Sequence, residues 1–227
     1  MLPFTNRMSA GRLLASELAA YEGQPEIVVV GLPRGGVPVA FEIAQHLQAP
    51  VDVMVVRKVR LPWQPELALG AVASGGARVV NQDILKALNL SNYFIYSLIA
   101  KQEEEVERRE SLFRRGYPAE PLHGRIVILV DDGAATGSTM LAAADAVRKQ
   151  CPKEIVVALP VASRDAFEKI EANVDKCVCL ATPAAFFSVS EWYEEFPQVG
   201  DEEVRDLLAR SRTTSHKDMA FAHTAAR

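Results

Sequence analysis

Three cysteines and four histidines in 227 residues are too few for a disulfide framework or a Cys/His metal centre. Cys177 and Cys179 lie inside an apolar run, which reads as a pair of reduced core thiols and, with it, a cytoplasmic protein. No apolar stretch reaches the length of a membrane span, and residues 1–12 carry no signal-peptide core, so no membrane partner is expected. A net charge of −4 without a basic stripe gives no general attraction to nucleic acid. Residues 133–139 have no lysine before their hydroxyl residue and lack the three-glycine dinucleotide fingerprint, which removes both common nucleotide-binding loops there.

What is present is a chain that is 49% hydrophobic and 24% charged, enough to bury one substantial core. Five apolar, β-branched runs, at residues 27–30, 51–56, 126–130, 155–159 and 177–181, alternate with stretches of helical periodicity. That pattern predicts an α/β fold: a mostly parallel five-stranded sheet with helices on both faces. One domain over residues 1–210 is expected, with its core at about 26–181 and a helical insertion at 81–121, followed by a flexible tail at 211–227. The insertion contains a charged helix over residues 93–115, whose Tyr93, Ile95, Leu98 and Ile99 can pack on the core or on a second subunit in a homodimer. A hairpin is expected to pair residues 68–74 with 77–80 across Gly75 and Gly76.

The strand at 126–130 runs directly into Asp131 and Asp132, then Gly133, Ala134, Ala135, Thr136, Gly137, Ser138 and Thr139. From Thr136 onward Met140, Leu141, Ala144 and Val147 recur at helical spacing, so residues 133–139 form the turn that opens a helix at the carboxyl end of a strand, where open α/β sheets bind ligands. The glycines let successive N–H groups converge on one anion, while Thr136, Ser138 and Thr139 add hydroxyls and the helix start adds partial positive charge. That turn suits a monophosphate. The two carboxylates upstream would repel phosphate but accept hydrogen bonds from the vicinal hydroxyls of a ribose. Together they point to a ribose phosphate, against the bland alternative of an Asp-capped turn.

These residues resemble the signature of the type I phosphoribosyltransferases, in which four apolar residues, two acidic residues and three variable positions precede Thr-Gly-x-Thr. Residues 127–139 match every fixed position. The resemblance implies that this loop binds the ribose and 5-phosphate of 5-phosphoribosyl 1-pyrophosphate (PRPP). It also gives the segment after the first core strand, Gly31, Leu32, Pro33, Arg34, Gly35 and Gly36, a place as a pyrophosphate loop. Family members often carry a non-proline cis peptide there, and Pro33–Arg34 is the candidate bond. Arg57 and Lys58, after the second strand, are the other cations near the two loops; Lys58 is expected to face the pyrophosphate and Arg60 to be solvated. Trp63 and Glu66 either belong to the mobile loop that family members close over the reacting centre, or Trp63 anchors the hairpin.

In the family, acceptor choice resides in a variable hood, expected here from residues 1–20 and 181–210. Phe186, Phe187 and Trp192 are candidates for stacking on a flat acceptor; the alternative is that Phe187, Trp192 and Phe196 pack the hood onto the sheet. Members that use 6-oxopurines have a carboxylate just before Thr-Gly, whereas this chain has Ala135, which disfavours such acceptors. The segments at 190–193 and 201–204 look most like a bacterial group of phosphoribosyltransferases whose acceptors are uncharacterised. The implied reaction transfers the phosphoribosyl group to a nitrogen acceptor with Mg2+ as cofactor. The metal would be carried by the substrate and water-bridged to Asp131 and Asp132, which hold the ribose hydroxyls, while Arg34 and Lys58 stabilise departing pyrophosphate. Two other readings stay open: a PRPP- or nucleotide-binding sensor without turnover, and a hydrolase or phosphorylase of ribose phosphates.

Overall fold

The computed structural model describes the backbone of residues 3–81, 84, 85, 88 and 90–224, and the side chains of these except residues 65–66 and 213–224. In chain order the elements are α1 (Arg7–Glu17), β1 (Ile27–Gly31), α2 (Gly36–Leu47), β2 (Val51–Val53), β3 (Val56–Leu61), β4 (Gln64–Ala73), β5 (Ala77–Val80), α3 (Asn92–Arg114), β6 (Ile126–Val130), α4 (Ser138–Arg148), β7 (Glu154–Val161), α5 (Arg164–Glu171), β8 (Lys176–Ala181) and α6 (Asp201–Thr224).

All five expected apolar runs contribute to one parallel sheet in the order β2-β1-β6-β7-β8. Its central strands show no polar alternation because both faces are covered. Ile27, Val29, Ile126, Ile128 and Val130 point into one core with residues of α1, α2 and α6, while Val28, Val30, Val127 and Leu129 point into a second with Met140, Ala143 and Val147 of α4 and Ala166 and Ile170 of α5. Each fully buried valine, leucine or isoleucine contributes about 1.5–3 kcal/mol relative to exposure, so the strands are held from both sides. Register sets Gly31 beside Val130 and so brings the carboxyl ends of β1 and β6 level with each other.

The strand expected over residues 51–56 divides. After Val53 the Met54 N–H still donates to the Gly31 carbonyl at 3.1 Å, but the Val55 N–H donates to Ser74 Oγ at 2.8 Å, which draws the chain off the parallel sheet. Val56–Leu61 then forms a three-stranded antiparallel sheet with β4 and β5, the last two joined across Ser74, Gly75 and Gly76 with Ala73 opposite Ala77. Arg57 and Lys58 therefore stand on this second sheet and not at the end of the first.

The charged helix α3 lies across the antiparallel sheet through Ile95, Ile99, Val106 and Phe113, and its end is tied down at the buried Asp52. That carboxylate accepts bonds from Arg114 at 3.0 and 3.1 Å and from the Glu120 N–H at 3.0 Å. A tail was expected from residue 211, but that position lies inside α6, with Ser211 buried; residues 225–227 lie outside the described residues. Among the described residues no helix is long and apolar enough to cross a membrane, and the three cysteines are unbridged, with burial pushing Cys177 up to about 12 and Cys179 up to about 11.

Candidate active site

The level ends of β1 and β6 bring the two glycine-containing loops into contact. Leu32 N–H donates to the Val130 carbonyl at 2.8 Å, and the Pro33–Arg34 peptide is cis, as the resemblance implies. Gly35 and Gly36 then press against the second loop. A Cβ on Gly35 would lie 2.0 Å from Asp132 Oδ2, and one on Gly36 would lie 2.5 Å from the Val130 carbonyl oxygen and 2.8 Å from the Asp131 Cα. Only hydrogen fits at either position, and at Gly36 the obstacle is backbone that no rotamer change can move. Arg34 is only partly covered and pairs with Asp201 at the start of α6, at 3.6 Å.

The second loop is held at many points. Ala134 pairs with residues 161–163 through its N–H to the Val161 carbonyl (3.0 Å) and its own carbonyl to the Ser163 N–H (2.9 Å), and Ser163 Oγ donates to the Ala135 carbonyl at 2.7 Å. Gly133 sits where a Cβ would fall 2.6 Å from Val189, and Gly137 adopts φ 71°, the left-handed region that favours glycine. Thr136 Oγ1 and Ser138 Oγ are 2.9 Å apart, and Lys58 reaches over from β3 to donate to the same Ser138 hydroxyl at 2.5 Å. Lys58 thus joins the hydroxyl end of the second loop, whereas Arg57 turns toward Gln102 of α3 at 3.4 Å and Arg60 is exposed.

Helices α1, α3 and α5 are capped by Asn6, Ser91 and Ser163, each accepting from its own first turn. The two helices that open from these loops are different: glycine occupies the N-cap of α2 and of α4, and supplies no side-chain acceptor. The start of α4 therefore turns first-turn N–H groups and partial positive charge toward its loop, a setting for an anion, whereas at the start of α2 the Gly36 and Val37 N–H groups already donate to the Leu32 and Arg34 carbonyls at 3.0 and 3.2 Å and Pro38 has none.

The adjacent carboxylates are not equivalent. Asp131 Oδ1 accepts the Asp132 N–H at 2.9 Å, and burial first and the Asp132 charge second push the Asp131 carboxyl well above the usual carboxylate range. Asp132 Oδ2 accepts from Arg7 Nε at 2.7 Å, and the Tyr193 hydroxyl donates to the Asp132 carbonyl at 2.6 Å. Burial, with the Asp132 charge next, pushes the Tyr193 phenol far upward, so it stays a protonated donor.

Arg7 and Tyr193 belong to no motif, and sequence reasoning did not single them out. Both come from the two segments expected to form a hood, where Phe4 pairs with residues 192–194 through Phe4 N–H to the Trp192 carbonyl and Glu194 N–H to the Phe4 carbonyl, both 2.8 Å. One sequence signal was available for Arg7: it follows the cap Asn6 directly, so it places a cation at the positive end of a helix.

The hood aromatics divide. Phe196 packs against Tyr193 and beneath the Arg7 guanidinium, Phe186 and Trp192 are partly buried around Phe4 and Tyr193, and Phe187 is 82% exposed. Trp63 is also exposed and stacks on Phe94 of α3 at 5.5 Å; the Glu66 side chain lies outside the described residues. Among the described residues no cluster of three or more His, Cys, Asp or Glu side chains forms a metal site.

Comparison with known proteins gives concordant results. The family model described as "Phosphoribosyl transferase domain" matches residues 5–195. The chain is 46% identical over 219 residues to the "Putative phosphoribosyl transferase Rv0571c" of Mycobacterium tuberculosis, covering 96% of this chain and 48% of that protein, so it spans about half the length of the relative. It is 27% identical over 174 residues to the uracil phosphoribosyltransferase of Bifidobacterium adolescentis, covering 75% of this chain and 72% of that one. The crystal structure of TT1426 from Thermus thermophilus superimposes with a TM-score of 0.82 at 42% identity, covering 91% of this chain and 98% of that one.

Proposed function

The chain belongs to the phosphoribosyl transferase family, and on that premise we propose that it transfers the 5-phosphoribosyl group of PRPP to a nitrogen acceptor, releasing pyrophosphate. The observation that carries the proposal is the seam between the two loops: Gly35 and Gly36 lie against Asp132, Asp131 and Val130, so one ligand can touch an Arg-Gly-Gly anion loop and an acidic, hydroxyl-rich loop at once.

In this reading Asp131 and Asp132 accept hydrogen bonds from the ribose hydroxyls. The 5-phosphate sits on the N–H groups and hydroxyls of residues Gly133, Ala134, Ala135, Thr136, Gly137, Ser138 and Thr139. The Pro33, Arg34, Gly35 and Gly36 loop takes the pyrophosphate, with Lys58 adding positive charge beside Ser138. As the bond from ribose C1 to the pyrophosphate oxygen breaks and the bond from C1 to the acceptor nitrogen forms, positive charge grows on the sugar and negative charge on the leaving group. The carboxylates stand near the first and Arg34 near the second.

The residues present fit Mg2+. Hard carboxylate oxygens are there in a pair rather than a full cage, which suits an ion that takes one or two carboxylates and completes its shell with water and substrate phosphates. When bound, that ion supplies charge neutralisation for the pyrophosphate. For the acceptor, Phe187 is the exposed ring of the hood, Phe186 and Trp192 are partly buried, and Ala135 offers no carboxylate to a 6-oxopurine. A nucleobase-like ring of another class fits these groups.

The test is release of pyrophosphate from PRPP and Mg2+, without and with a panel of bases and small nitrogen acceptors. Release that depends on one acceptor class is the expected result. Release without any acceptor would make the protein a hydrolase, and tight PRPP binding with no release under any acceptor would make it a sensor.

A further inference from the structure

A cation at the first position of a helix opposes the helix dipole, and a buried cation forfeits its hydration. Arg7 does both: it opens α1 and its residue is only 8% exposed. Three contacts offset this. Nε bonds Asp132 Oδ2 at 2.7 Å, Nη1 bonds the Pro197 carbonyl at 2.7 Å, and the guanidinium carbon lies 3.6 Å above the centre of the Phe196 ring. The backbone pairing of Phe4 with residues 192–194 fixes where α1 begins, so the guanidinium is placed before any ligand arrives.

The consequence falls on Asp132. Its Oδ2 is taken by Arg7, its carbonyl by Tyr193, and Gly35 closes one side of the carboxylate. The Asp131 side chain is the other hydrogen-bonding neighbour of this carboxylate, so the Asp132 carboxylate is held in one orientation at the end of β6. We propose that Arg7 is a positioning residue for the ribose end of the site: the hood helix, through the Arg7 guanidinium, fixes the Asp132 carboxylate in the orientation that receives a ribose hydroxyl. This rests on the reading of Asp131 and Asp132 as the ribose acceptors. It adds a residue outside both phosphate loops, and it makes ribose affinity depend on how the hood is seated.

The measurement is calorimetry with Mg2+ and either PRPP or pyrophosphate, on wild type, Arg7→Met, Arg7→Lys, Asp132→Asn and the Arg7→Met/Asp132→Asn pair, with thermal unfolding to establish that each is folded. Arg7→Met is expected to weaken PRPP roughly tenfold or more, the scale of one charge-assisted bond, and to leave pyrophosphate within about twofold. Arg7→Lys should recover part of the loss, since a point charge keeps attraction but not the stacked, forked geometry. In the Asp132→Asn background Arg7→Met should add less than about twofold, because both changes remove one interaction.

A folded Arg7→Met protein that binds PRPP like wild type, equal losses for PRPP and pyrophosphate, or independent addition of the two changes would each overturn the inference. If Arg7→Met does not fold, Phe196→Leu keeps the charge and loosens its seat. A roughly threefold loss in PRPP affinity alone is then expected, and no loss overturns the proposal. Wild type that binds no PRPP would remove the functional reading and this inference with it. Wild type that binds, with Asp132→Asn weakened and Arg7→Met not, would remove only the inference.

Discussion

β1 and β6 are neighbours in register, and both hand over to a helix with glycine at its N-cap, yet the loops between strand and helix are opposites. The first is short, ends in Arg-Gly-Gly, and leaves its arginine partly exposed with one carboxylate at 3.6 Å. The second carries two carboxylates and is bonded to residues 161–163, to Tyr193 and to Arg7. On the proposed reading the first loop follows a departing anion, and it gains from a loosely held cation on a long side chain. On the same reading the second loop holds a sugar that stays in place, and its acceptors gain from fixed geometry, since every rotamer frozen in advance is not lost on binding.

The sharpest way to break that contrast is to neutralise each loop in turn. Asp131→Asn with Asp132→Asn should weaken PRPP by more than about 100-fold, two lost charge-assisted contacts, with pyrophosphate affinity retained. Arg34→Gln should do the reverse, costing pyrophosphate roughly tenfold and leaving ribose 5-phosphate unchanged; calorimetry with the two half-ligands separates them. If both variants weaken both half-ligands alike, the loops do not divide the work.

Next in size is Gly36→Ala. Its Cβ would meet the Val130 carbonyl oxygen at 2.5 Å, so the seam must open, at a cost of about 1–3 kcal/mol read as a lowered Tm and a denaturant midpoint moved down with m unchanged. Asp131→Asn alone should act in the opposite direction. The folded-state carboxyl titrates above its ordinary value of 3.8, so the folded protein binds that proton more tightly than the unfolded chain does. The linked stabilisation is complete below 3.8 and is lost as pH rises through the raised value. The variant, which does not titrate, should therefore have the higher Tm near neutral pH in the absence of ligand, and the gap should close toward about pH 4. The smallest effect is expected from Asp201→Asn, which removes a half-exposed partner of Arg34. An exposed pair is worth about 0–1 kcal/mol, so pyrophosphate affinity should rise by no more than a few-fold in calorimetry.

The sheet was legible because its strands are apolar on both faces: the runs at 27–30, 126–130 and 155–159 show β-branched residues without alternation. The second loop was legible because its acidic, small and hydroxyl residues stand in contiguous order directly after a strand. β3 was not read as a strand of its own. Its alternation, with Val59 and Leu61 inward and Arg60 outward, is hidden by three cations and by the apolar residues 51–55 running straight into it. Lys58 was singled out as a cation for the ligand, but not its place at Ser138, since nothing local in sequence sets the angle between two sheets. Arg7 and Tyr193 escaped notice for the same reason, because their work is done 125 and 61 residues away.

The Arg7–Asp132 contact spans that whole separation, and the Phe4–Tyr193 pairing that seats it joins segments still further apart in the chain. Contacts of this range are closed late, because the entropy of the enclosed chain must be lost before they return anything. The pairing of β1 with β6 closes a shorter stretch of chain, whereas the clasp on Asp132 waits for residues 193–197. If opening runs in the reverse order, from the ends inward, the carboxylate slackens while the sheet is intact, and on the proposed reading binding is lost before the fold is.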